Sequence, residues 1–158
     1  MGHFSFYAFF TVAVASLCAD VAKLPAEDRK LLENVSRFHE VYSTRDLPPA
    51  IVGLCAGDNG KIAEPGQKWN ATDAIIDPTL PGKRLIWAAV DGDYYVVHYE
   101  RGGIAHTFHV LVAKVTNGGA NSKVVWSAMG GPFKSYAAFV DSLRSGKLDD
   151  RLGHSKFW

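Results

Sequence analysis

Between residues 83 and 128 the apolar positions fall into four short runs separated by glycine-bearing turns, the spacing of an antiparallel meander. The first two runs, 84–90 and 93–100, flank Asp91-Gly92. A second glycine turn, Gly102-Gly103, leads through Ile104 into the apolar run 108–115, and a looser connection over 117–122 precedes the last run, 123–128. Two-residue hairpin loops need positive φ, which glycine adopts without a Cβ clash, so both glycine turns are predicted as tight hairpins.

Such turns imply a register. Pairing Val90 with Asp93 sets Ala88 opposite Tyr95 and Ile86 opposite Val97. Pairing Arg101 with Ile104 sets Val97 opposite Phe108 and Tyr95 opposite Val110. Because side chains alternate along a strand, one face is expected to carry Ile86, Ala88, Tyr95, Val97, Phe108 and Val110, and to meet a helix. The other would carry Trp87, Tyr94, Val96, His98, Glu100 and His109, a mixed surface that is partly exposed or lines a cavity.

The flanks read as helical. Over 25–42, Leu31, Leu32, Val35, Phe38, Val41 and Tyr42 recur at three- and four-residue spacing, with Glu27 and Asp28 complementing the dipole of the first turn. Leu47-Pro48-Pro49 ends that unit, and a short helix over 49–56 stops at Gly57. Residues 58–82 are rich in Gly, Pro, Asn and Asp, which predicts an irregular excursion with one short strand near 72–76 and a candidate binding role. After Gly130-Gly131-Pro132, Phe133, Tyr136, Ala137, Val140 and Leu143 form the stripe of a C-terminal helix over 133–144. The fold class expected is therefore α+β: an N-terminal helix, a four-stranded antiparallel meander, and a C-terminal helix packed on one sheet face. The terminal Phe157-Trp158 pair is expected to fold back on the domain.

Composition narrows the function classes. The chain has 158 residues, 47% of them hydrophobic, enough for one domain with an ordinary core. A formal net charge of +1 without like-charge runs argues against nucleic-acid binding through a basic surface. Residues 4–18 carry no charge and end in small residues, the pattern of a secretory signal, although no Lys or Arg precedes them. The stretch is short for a bilayer span, so removal over 1–19 would leave 20–158 as one exported domain with no stable membrane insertion. An uncleaved anchor and a mis-assigned start codon are the competing readings. Of the two cysteines, Cys18 lies at that boundary, and Cys55 sits among Ile51, Val52 and Leu54 as a small buried hydrophobe would. Lack of a disulfide set favours a periplasmic or secreted setting over a disulfide scaffold.

One constellation could carry chemistry. In the expected register His98, Glu100 and His109 share a face, and two histidines with one carboxylate could hold zinc or iron with open positions. The alternative, two sheet histidines each satisfied by a neighbour, needs no ion. Phosphate-cradling, dinucleotide, hydrolase-elbow and zinc-ribbon patterns do not occur. The sequence thus points to an exported binding module without a cofactor. Its ligand, a small molecule or a protein, would be held by Trp87, Tyr94, His98, Glu100 and His109, with a small metal-dependent enzyme as the alternative.

Overall fold

The computed structural model describes residues 23–57, 59–75 and 77–148. Five antiparallel strands lie in sequence order in one sheet: β1 (His39–Val41), β2 (Lys83–Asp91), β3 (Tyr94–Arg101), β4 (Thr107–Thr116) and β5 (Asn121–Met129). Three helices accompany them, α1 (Ala26–Leu32), α2 (Pro49–Cys55) and α3 (Tyr136–Arg144). The α+β class, both flanking helices and the meander agree with the hydrophobic pattern. The sheet has five strands rather than four, and the extra one comes from the end of the expected first helix.

That helix stops early. Asn34 leaves helical geometry at φ −87°, ψ 81°, a single 3-10 turn follows over Val35–Arg37, and Phe38 is extended. The next three residues pair with β2, His39 opposite Val90 and Val41 opposite Ala88. Ala88 and Ala89 are fully buried, so the outer backbone groups of β2 need partners that water cannot supply. β1 provides them along one half of the strand. Along the other, Ala63 donates to the Lys83 carbonyl and accepts from the Leu85 amide, both at 2.9 Å.

β2 and β3 are neighbours, as the pattern predicts, but the register is shifted by two residues: Ala88 faces Val97 rather than Tyr95, and Asp91 faces Tyr94, an even shift that keeps the faces. The turn glycine Gly92 has φ 56°. An irregularity between Leu85 and Trp87 then sets Leu85 opposite Tyr99 and Arg84 opposite Glu100. The β3–β4 register differs from expectation: Val97 faces Leu111, His98 faces Val110 and Tyr99 faces His109. Compared with a tight turn at Gly102-Gly103, the pairing slips by three residues, and an odd slip exchanges the faces. Val97 and Phe108 therefore lie on opposite sides.

Both faces of the sheet are buried. On one side Trp87, Ala89, Val96, Val110 and Val112 pack against Leu32 of α1 and Tyr136, Phe139, Val140 and Leu143 of α3. On the other, Leu85, Ala88, Val97, Tyr99 and Leu111 pack against Leu47 and against Ile51 and Cys55 of α2. A sheet covered on both sides explains why β3 and β4 read as near-continuous apolar runs instead of clean alternation. α3 thus covers the Val96 side and α2 the Val97 side, so of the face expected to meet α3, Val97 lies under α2 while Phe108 stays on the α3 side against His98. Ser135 caps α3 by accepting from the Ala138 amide, and the Glu40 carboxylate on β1 accepts from the Tyr136 amide at 2.8 Å. Among the described residues no helix is long and apolar enough to cross a membrane. The predicted signal segment, Cys18 and the terminal Phe157-Trp158 pair lie outside the described residues.

Candidate functional site

The five residues singled out from the sequence do not share a surface. Trp87 is fully buried, and its indole donates to the Phe133 carbonyl at 2.8 Å. Tyr94 is half-buried, and its hydroxyl donates to the buried carboxylate of Asp28 at 2.5 Å while the Lys114 ammonium stands 4.4 Å over its ring. This group ties α1 to the sheet. Neither aromatic is the exposed anchor expected of it.

The histidines part company for the reason already seen in the register. His98 and Tyr99 are adjacent on β3 and point to opposite faces; His109 pairs with Tyr99 and so lies on Tyr99's side, where the two rings stack at 5.2 Å. His98 lies against Trp87 and Phe133 on the α3 side, with ring centroids 5.1 and 5.2 Å away. Two imidazoles on opposite faces cannot meet at one ion. The His98, Glu100 and His109 metal set is therefore not assembled, and among the described residues no group of three His, Cys, Asp or Glu could hold a metal.

Each histidine is held neutral. Burial depresses His98 to about 4, against smaller opposing effects of the His109 carbonyl and Glu100. Burial, reinforced by Arg101, Lys83 and His98, depresses His109 to about 4 as well. Cys55 is buried, and desolvation pushes its thiol up to about 12, so it stays protonated and unreactive, the bland role its neighbours suggested.

Glu100 belongs to a different assembly. Its carboxylate accepts from Arg84 Nε at 2.5 Å and pairs with His106 Nε2 at 2.7 Å. Trp69 closes the group, with the Arg84 guanidinium 5.2 Å over its ring and His106 edge-on at 5.4 Å. These contacts clamp the 59–82 loop to β2 and to the β3–β4 connection. Gly102 makes the crossing possible: a Cβ there would lie 2.0 Å from the Asn70 carbonyl oxygen. Thr72 forms an isolated bridge with Gly103 rather than the short strand expected near 72–76.

Beside that crossing lies a cavity of about 270 Å³, reached by Asp73, Ile75 and Leu80 of the loop and by Lys83, Arg101 and Gly102 of the sheet end. A second, more open hollow of about 310 Å³ shares Arg101, Gly102 and Gly103 with it and extends past Ile104 to Met129. Sequence reasoning marked the 58–82 stretch as a candidate binding element but missed Trp69, Asp73, Arg101 and His106. The one available signal was the doubled glycine at 102–103, which serves backbone contact as well as turning. No protein-family model matches the chain, and neither a curated protein nor a solved structure does.

Proposed function

We propose that this chain is an exported, non-catalytic binding module whose contact surface is the loop end of the sheet. One observation carries the reading. Of the three large apolar residues exposed among the described residues, two stand around the adjoining hollows: Ile75, 67% exposed, and Ile104, 95% exposed. Isolated surface apolar residues need no explanation, but aliphatic side chains gathered around a cavity with charged groups in its lining match the make-up of recognition surfaces. The binding role expected of Trp87 and Tyr94 passes to Ile75, Ile104 and Arg101. Burial of both sheet histidines and of the thiol in structural roles favours binding over catalysis. The apolar, charge-free stretch 4–18 supports export. The near-neutral charge supports a small-molecule or protein ligand over nucleic acid.

The test is affinity capture from the exported fraction of the native host, comparing the natural chain with the Ile75→Asp, Ile104→Asp double variant. The proposal expects a stoichiometric companion that the variant loses while its thermal melt is unchanged. Identical eluates would remove the loop end as the contact surface.

A further inference from the structure

We infer that the cavity beside Gly102 takes a small aliphatic zwitterion of the free amino-acid class; this rests on the binding-module reading and names the ligand of that site. Three of the polar lining groups hold the loop and the sheet end in shape. Asn70 Nδ2 donates to the carbonyls of Asp77 and Leu80 at 2.8 and 3.1 Å, and Asn59 Nδ2 donates to the Leu80 carbonyl at 3.2 Å. Both amides hold the loop in shape. Lys83 Nζ is likewise anchored to the Ala56 carbonyl at 2.9 Å.

Two further lining groups are of opposite sign. Asp73 is exposed at the cavity mouth, and its carboxylate has no hydrogen bond or ion pair among the described residues. Arg101, at the end of β3, presents a guanidinium with five donors, so a carboxylate adds to the contacts it already makes. Ile75, Pro78 and Leu80 add aliphatic lining. A simple monocarboxylate would meet Arg101 but be repelled by Asp73, and a simple amine would suffer the reverse. A molecule carrying both charges satisfies both, and an aliphatic side chain covers the wall. Size permits it: about 270 Å³ lies just below the range of pockets for drug-sized ligands, as suits a molecule as small as leucine.

Calorimetric titration of the purified domain with leucine, N-acetylleucine and leucinamide tests the assignment. Leucine should bind, and blocking either its amine or its carboxylate should weaken binding by about tenfold or more. Asp73→Asn should abolish the discrimination against N-acetylleucine, and Arg101→Gln the discrimination against leucinamide, with thermal melts checking that both variants fold. N-acetylleucine binding as well as leucine would overturn the zwitterion assignment, and so would silence toward leucine up to about 10 mM. A companion captured through Ile104 together with such silence removes this inference and leaves the binding-module reading standing; silence in both experiments removes both.

Discussion

The His98 ring joins two chain segments that are far apart in sequence, accepting the Phe133 amide on Nε2 at 3.1 Å while its Nδ1 meets the His109 carbonyl at 2.9 Å. An amide can only donate, so Nε2 must be the bare nitrogen and Nδ1 must carry the proton that goes to the carbonyl. The arrangement requires a neutral imidazole. Protonation would set an N–H against an N–H in a fully buried site.

Stability should consequently depend on pH in a defined direction. His98 and His109 are both held near 4 in the folded chain by burial, against about 6.5 in an unfolded one. Between those values the unfolded state binds more protons, so acid favours unfolding. The stabilisation is fully present above about pH 6.5 and is lost as pH falls toward 4, with a slope of up to about 1.4 kcal/mol per pH unit for each histidine. Urea titrations at steps from pH 7.5 to 5 measure it. His98→Phe should cost about 2–4 kcal/mol at pH 7.5, because the buried His109 carbonyl and the half-buried Phe133 amide lose their partner, and should remove about half of the slope. A flat profile in the natural chain would show that the rings titrate normally.

Phe139 of α3 is fully buried against Trp87 and Tyr136, whereas Phe108 is only half-buried against His106 and His98. Phe139→Ala should therefore cost about 3–5 kcal/mol through the cavity it leaves, and Phe108→Ala less than half as much. Denaturant midpoints at unchanged m-value decide the order. The reverse order would show that Phe139 is not at the centre of the α3-side core.

Gly102→Ala should lift the 59–82 loop, since the new methyl would overlap the main chain of Asn70 and Ala71. Backbone cannot yield as a flexible side chain does. Amides of residues 61–72 should lose hydrogen-exchange protection while those of β3 and β4 keep theirs, a local opening rather than global unfolding. Protection retained across the loop would mean that the crossing is looser than described.

Cys55 should resist alkylation in the folded domain at pH 8 and react on unfolding in urea, because the thiolate is the reactive form and burial suppresses it. Peptide mapping after brief iodoacetamide treatment reads this directly, with labelling of native Cys55 as the contrary result.

The proposed export predicts a mature chain beginning between residues 16 and 23 when the protein is isolated from its native host. Intact-mass measurement checks it, and a cytosolic chain retaining Met1 would end that proposal.

Local chemistry settled much of this architecture before any contact was known. Gly92 between two apolar runs makes β2 and β3 a hairpin, the three- and four-residue stripe of Tyr136, Val140 and Leu143 makes α3 a surface helix, and Pro49 opens α2. Each depends on φ preference or on side-chain periodicity, which a short stretch carries within itself. The β3–β4 register is different. Gly102 and Gly103 are suited to a tight turn, yet residues 70–72, some thirty positions earlier, occupy the space against them, and the chain does not re-enter the sheet until Thr107. Strand faces depend on whether a connection adds an even or an odd number of residues, and that parity was set by a non-local contact. The same parity sends His98 under α3 and His109 against Tyr99, dissolving the candidate metal site, and leaves Arg101 at the cavity with Asp73. β1 was hidden for a related reason: Val35, Phe38 and Val41 fit a helical stripe, and only the unpaired edge of the buried β2 draws His39–Val41 into the sheet.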